Sequence, residues 1–82
     1  MEILPLHQEL VTYLKRRKLE KKFAKQALLF QNDPFHPGLN FELLEPKHLR
    51  LYSFRVDRKY RTILIFLQPN KAEIIDINNH YN

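Results

Sequence analysis

Apolar residues recur with helical spacing in the first part of the chain and with strand spacing in the last. Leu6, Leu10, Tyr13 and Leu14 follow one another at spacings of four, three and one, which places them on one side of a helix. Leu19, Phe23, Ala27 and Phe30 form a second helical set. At about 100° per residue, that second stripe is rotated by roughly a third of a turn from the first. One straight helix would not bury both stripes against one sheet. The pattern therefore predicts a break at 17–19 and a helical hairpin, although neither Gly nor Pro stands at the corner. Residues 1–4 read as a short strand, and Pro5 suits the first turn of the helix that follows. Asn32-Asp33-Pro34 stops the second helix, because the residue before a proline is steered away from the α region.

After a stiff loop, NDPFHPGL, the period changes to two. Residues 40–44 read as a short strand and 45–48 as a turn. In Tyr52-Ser53-Phe54-Arg55-Val56 the aromatics and Val56 share one face, and Ser53 and Arg55 share the other. Residues 60–67 are apolar on both faces except for Arg61 and Thr62, which suits a central strand. Arg58 and Lys59 form the tip between these strands. A three-residue loop at 57–59 would pair Arg55 with Arg61 on one face, whereas a two-residue loop would separate them. Pro69-Asn70 predicts the next turn and 72–77 the last strand, with Asn78-Asn79-His80-Tyr81 running off its end.

These elements predict an α+β fold: two N-terminal helices, as a helical hairpin, packed on a twisted, mainly antiparallel sheet of four to five strands. A segment at 1–4 could pair in parallel across the helical connection. With one glycine, no repeat and no low-complexity stretch, residues 1–82 read as a single domain.

Charge adds a partner to this picture. The formal charge of +5 is uneven: residues 15–25 hold seven basic side chains and one acid, residues 47–61 hold six and one, and the remainder is acidic. Two basic patches on an otherwise acidic chain point to an anionic partner, with a solvated helix face as the alternative for 15–25. The absence of cysteine excludes disulfides, thiolate zinc sites and cysteine nucleophiles. The start, MEILPLHQEL, lacks a signal peptide's apolar stretch, and no apolar run approaches a membrane span. A cytoplasmic protein without membrane contact is expected.

His7, His36, His48 and His80 lack metal-ligand spacing, Ser53 is the only serine and lies mid-strand, and one glycine excludes glycine-rich phosphate loops. Chemistry without metal or cofactor, or plain binding, remains. Cleavage of RNA fits such a side-chain set, because the substrate's own 2′-hydroxyl is the nucleophile. The protein must move protons and stabilise negative charge on the phosphoryl oxygens. Histidine suits the first task and arginine the second, while aromatic rings stack on splayed bases. Each candidate has a structural alternative. Arg61, sharing a strand face with Ile63, Ile65 and Leu67, would also cap the core edge against a carboxylate. Arg58 and Lys59 would also be solvated at a tip, His36 would stabilise its Pro-bounded loop, and His80-Tyr81 would be a frayed end.

Three stretches, NDPFHPGLNFELLE, YSFRVDRKYRTILIF and EIIDINNHY, together resemble the RelE/ParE toxin superfamily of bacterial type II toxin–antitoxin systems. With the preceding helices, the resemblance covers nearly the whole chain. It implies the same two-helix, antiparallel-sheet fold, no glycine-rich or metal motif, and a small basic toxin neutralised by a cognate antitoxin. The RelE-like branch enters the ribosomal A site and cuts mRNA without metal, leaving a 2′,3′-cyclic phosphate and a 5′-hydroxyl. The ParE-like branch poisons DNA gyrase instead, and a catalytically inactive binding module is a third outcome. For the nuclease branch the resemblance implies Arg61 of KYRT as the catalytic arginine and Arg55 as a basic partner on the preceding strand. It likewise implies His80 as the proton-transfer group and Tyr81 near the base. His36 falls where YoeB-like members carry a glutamate, and it is a candidate second acid/base of the kind HigB-like members place in a loop. Ser53 stands where RelE has a second basic residue. Arg58 and Lys59, with Lys47 and Arg50 of the same basic patch, are candidates for RNA phosphate contact.

Overall fold

The computed structural model describes residues 1–79, so the expectations for His80 and Tyr81 lie outside the described residues. Strand β1 (Glu2–Ile3) leads through Pro5 into helix α1 (Gln8–Arg16), which is followed by helix α2 (Glu20–Asn32). A short 3₁₀ turn at Pro37–Leu39 precedes β2 (Glu42–Leu43), and a second at Lys47–Leu49 precedes β3 (Tyr52–Arg55). β4 (Tyr60–Gln68) and β5 (Lys71–Asn79) complete a five-stranded sheet in the order β1-β5-β4-β3-β2. All neighbours are antiparallel except β1 and β5, which run parallel across the helical connection. The fold is thus the expected α+β arrangement of two helices on a mainly antiparallel sheet, with β4 at its centre. No helix among the described residues is long and apolar enough to cross a membrane.

Pro5 is not in the first turn of α1. Leu4 is still tied to β5, its N–H donating to the Ala72 carbonyl at 2.9 Å. A residue before proline is also held extended, so the helix begins only after His7. The His7 side chain does not cap it. Its Nε2 lies 2.8 Å from Glu73 Oε2 instead, joining the start of α1 to β5.

The break between the helices falls where the two stripes demanded it. Lys18 adopts the left-handed conformation, with φ 56°. The Leu19 N–H donates to the Leu14 carbonyl at 2.9 Å and the Lys18 N–H to the Lys15 carbonyl at 3.2 Å, which is a Schellman ending. A non-glycine residue in this conformation costs roughly 1–2 kcal/mol. The motif brings Leu14 and Leu19 into the core, both 3 % exposed, and burying a leucine contributes about 1.5–3 kcal/mol. The two leucines outweigh the cost of the corner, so no glycine is required.

The core lies between the helices and one face of the sheet. Phe30 is its centre: its ring packs on Phe54 with centroids 5.0 Å apart and on Phe41 at 5.6 Å. Phe23 also stacks on Phe54, at 6.4 Å. Leu64, Ala72, Ile74 and Ile77 contribute the β4 and β5 share. Between Ile63 and Leu64 the β4–β5 register shifts, so that Asp76 pairs with Ile63 and Ile74 with Leu64. The extra residue, Ile75, is exposed, which lets both Ile74 and Ile77 reach the core.

Thr62, between Phe54 and Ile77 in the ladder, is fully buried, and its hydroxyl has no hydrogen-bond partner among the described residues. A desolvated hydroxyl without a partner is unfavourable, and valine has the same shape. Thr62→Val is therefore expected to raise stability by about 1 kcal/mol, read as a higher urea midpoint with unchanged slope.

The turn after β3 makes a second expectation. Partial burial pushes the Asp57 carboxyl upward, but the N–H groups of Tyr60 and Lys59 and the ammonium of Lys22 together outweigh it and hold the group below its ordinary value of 3.8. A carboxyl that is more acidic when folded contributes stability at pH values above 3.8, and that contribution is lost as pH falls through the lower folded value. Asp57→Asn should flatten the acid limb of a stability–pH curve in that window while leaving its neutral shape unchanged.

Candidate functional site

The site grows from the turn between β3 and β4. Asp57 Oδ1 accepts from the backbone N–H groups of Lys59 and Tyr60, both at 2.9 Å. The Val56 N–H donates to the Tyr60 carbonyl at 2.9 Å. These bonds close a three-residue loop, 57–59, and set Arg55 directly opposite Arg61. Of the two registers open from sequence, this is the one that pairs the arginines. The other oxygen of Asp57 accepts from Lys22 Nζ at 3.1 Å, so the turn is fastened to α2. That ion pair brings the basic run of the helices up to the basic tip, where Arg58 and Lys59 are exposed.

Arg61 itself is almost wholly covered, at 4 % exposure. Its side chain runs diagonally across the sheet face opposite the helices, toward Ser53. Nε and Nη2 both donate to Ser53 Oγ, at 3.0 and 2.7 Å. Nη2 also donates to the Asn40 carbonyl at 2.7 Å, and Glu42 Oε1 lies 3.6 Å away. A buried guanidinium needs both hydrogen bonds and compensating charge, and Ser53, Asn40 and Glu42 from separate segments contribute to both. Alternation explains the partners: Ser53 and Glu42 are cross-strand neighbours on this face, and Arg61 reaches them diagonally.

The loop before β2 is drawn to the same end of the sheet. Asn40 is left-handed, with φ 47°, at the end of the 3₁₀ turn, and this conformation presents its carbonyl to Arg61. Gln26 of α2 donates from Nε2 to the carbonyls of Gly38, at 3.1 Å, and Arg55, at 2.8 Å. It therefore clamps the loop to the outer edge of β3. His36 caps the 3₁₀ turn, with Nδ1 accepting from the Gly38 N–H at 2.9 Å. With Nδ1 occupied as an acceptor, the neutral imidazole carries its proton on Nε2 and offers an N–H donor to solvent. Gly38 allows this closeness: a Cβ there would stand 3.1 Å from His36 Nδ1.

Arg55, Arg61, Arg58, Lys59 and the His36 loop are thus gathered at one end of the sheet. Lys47 and Arg50 are not among them. They sit on the exposed connector that enters β3 at Tyr52, the end remote from the 57–59 turn. Four residues that hold this region together were not singled out from the sequence: Ser53 as an acceptor, Asn40, Glu42 and Gln26. A period of two already put Ser53 on the face of Arg55, and the three-residue loop brings Arg61 to that face. Nothing in the sequence marks a backbone carbonyl such as that of Asn40 as an arginine's partner.

Sequence comparison finds no matching family model and no matching curated protein. Comparison of structures does find likenesses. A YoeB/ParE toxin from Agrobacterium tumefaciens superposes with a TM-score of 0.73 at 16 % identity, over 99 % of this chain and 100 % of that one. The YoeB–YefM toxin–antitoxin complex from Staphylococcus aureus, a heterotetramer, gives a TM-score of 0.70 at 19 % identity, over 98 % of this chain and 94 % of the matched one.

The packing of Arg61 carries an expectation independent of any activity. Arg61→Ala leaves Ser53, the Asn40 carbonyl and the nearby Glu42 carboxylate without their partner. It should cost roughly 2–4 kcal/mol, read as a lowered denaturation midpoint, whereas Arg55→Ala on the exposed side of the pair should cost well under 1 kcal/mol, as is usual for a surface substitution (~0.5 kcal/mol or less).

Proposed function

We propose that this chain, which has the fold of the RelE/ParE toxins, is the toxin of a type II toxin–antitoxin pair and cuts mRNA on the ribosome without metal. The observation that carries the nuclease reading is the register that sets Arg55 opposite Arg61, beside a loop that offers a histidine N–H. The likeness to a toxin solved with its antitoxin supports a cognate antitoxin as the resting partner.

In this reading the mRNA 2′-hydroxyl attacks the adjacent phosphorus as the bond to the 5′-oxygen breaks, leaving a 2′,3′-cyclic phosphate and a 5′-hydroxyl. His80 takes the proton of the 2′-hydroxyl. His36, the candidate second acid/base, donates a proton to the departing 5′-oxygen from its imidazolium form, in which Nδ1 is protonated and no longer accepts from the Gly38 N–H. Arg61 stabilises the charge that develops on the phosphoryl oxygens, and Arg55 holds the same phosphate from the facing strand. Tyr81 orients a base. Arg58 and Lys59 contact the phosphodiester backbone near the cut, and Lys47 and Arg50 contact it about 10 Å further along, the length of the β3 strand.

A second reading is favoured by the near-complete burial of Arg61. In it the arginine only ties the sheet together, and the chain acts by binding, either as a ParE-like poison of DNA gyrase or as a module that only associates with an antitoxin or RNA. Expressing the chain and mapping RNA ends in translating ribosomes separates these. Cuts within mRNA bearing cyclic-phosphate ends are expected, abolished in His80→Ala and in Arg61→Lys. Accumulating DNA breaks with translation spared would establish gyrase as the target, and neither effect would leave a binding module. Arg61→Lys keeps a charge at the site but loses the planar fork of donors.

A further inference from the structure

We propose that Arg17 and Tyr13, backed by Tyr60, form a stacking platform for an unpaired RNA base at the helical corner. Arg17 caps the C-terminal end of α1, one turn beyond Tyr13. Helical side chains point back toward the N-terminus, so its guanidinium comes to rest over the tyrosine. Its Cζ is 3.6 Å from the ring centroid. At that distance the guanidinium lies flat, because an edge-on approach would drive its nitrogens into the ring. Tyr13 is held in turn by Tyr60, edge to face with centroids 6.2 Å apart, and both tyrosines pack against the core. The left-handed Lys18 ends the helix immediately afterwards. Arg17 therefore stands at the corner with one face on Tyr13 and is otherwise exposed.

This arginine differs from the solvated cations around it. Among the described residues its side chain makes no hydrogen bond or ion pair, and the ring alone retains it. Its outer face is thus a flat, cationic surface, which lysines cannot supply. Burial pushes the Tyr13 phenol above its ordinary value despite the neighbouring guanidinium, with Tyr60 and Asp76 adding to the rise. Asp76 itself is turned to its own strand, accepting from the Ile77 N–H at 2.9 Å and from Asn78 Nδ2 at 3.0 Å. Tyr60 directly follows the exposed Arg58 and Lys59, and Lys22 reaches the same tip through Asp57 at 3.1 Å. A base laid on Arg17 would extend the Tyr13–Arg17 stack, with its flanking phosphates among these cations. A carboxylate would engage only the guanidinium edge, so the face favours a base over an acidic protein segment.

The platform rests on the reading of the chain as a toxin that engages RNA, though not on its cutting RNA. Binding of hexaadenylate, compared with a ribose-phosphate hexamer that lacks bases, tests it by fluorescence anisotropy, because the two differ only in what can stack. Arg17→Lys keeps the charge and covers Tyr13 with its alkyl stem, but it has no planar face. Its affinity for hexaadenylate should fall by between about fivefold and about 100-fold, the range for losing one stacked base. Its affinity for the baseless hexamer, and the salt dependence of both, should not change. Equal weakening toward both hexamers would make Arg17 a phosphate contact, and unchanged affinity for both would make it a solvated cation; either result overturns the inference. So does an oligoglutamate of equal charge that binds the unaltered chain as tightly as hexaadenylate, since the surface would then read charge alone. A chain that fails to cut mRNA while these affinities hold loses the nuclease reading and keeps the platform. One that cuts mRNA while Arg17→Lys binds as before loses only the platform.

Discussion

A guanidinium taken out of water inside a domain this small has to be fully provided for, and much of the sheet's far side is organised by that need. Desolvating an ion costs several kcal/mol, and a cation left without partners would be untenable in a protein whose net stability is only about 5–15 kcal/mol. Arg61 meets the requirement by recruiting a hydroxyl from β3, a carboxylate from β2 and a carbonyl from the loop before it. Two of those three segments have little regular structure of their own: β2 pairs over only two residues, and the loop has a single turn of 3₁₀ helix. The arginine therefore serves as the cross-link that the sheet's hydrogen-bond ladder cannot provide at this edge.

The backbone makes matching concessions. Lys18, Asn40 and Arg50 all adopt positive φ, and each stands at the C-terminal end of a helix or 3₁₀ turn. A chain with one glycine has to use ordinary residues there, and asparagine is the least strained of the three. The glycine itself is used for something else. Gly38 admits the imidazole of His36 close to the backbone, fixing which nitrogen of that ring faces outward. Gln26 then binds the same loop and the exposed edge of β3 to α2. Packing on the helix side and polar contacts on the opposite side thus converge on the two residues, Arg55 and Arg61, at the end of the central hairpin.

Electrostatics are assembled in the same way. The two basic runs are separated by more than twenty residues in sequence, yet Lys22 and Asp57 join them at 3.1 Å. The one carboxylate in the tip is held ionised by two backbone N–H groups and this lysine, and its single charge is outnumbered by the basic side chains of the two runs. Lys22 of the first run is thereby held next to the tip that carries the exposed Arg58 and Lys59. Neighbouring exposed cations suit a polyanion irrespective of whether the chain cuts it, because phosphate attraction is insensitive to sequence.

From sequence alone, the elements and their order were determined: the two phases of apolar residues required a helical corner, and alternation placed Ser53 and Arg55 on one strand face. Those features depend on periods and on local backbone chemistry, which any stretch of chain carries within itself. The helix start was misread at Pro5, because what holds Leu4 extended is a bond to Ala72, nearly seventy residues away. The hairpin register was undetermined for a related reason. Both loop lengths satisfy the pattern, and the choice is made by the Asp57 carboxylate and its tie to Lys22 on α2. Tertiary structure alone decided that Arg61 is enclosed rather than displayed, since burial of a side chain is a property of what surrounds it. Its partners come from β2, β3 and a left-handed Asn40, and only the folded chain brings these to one point.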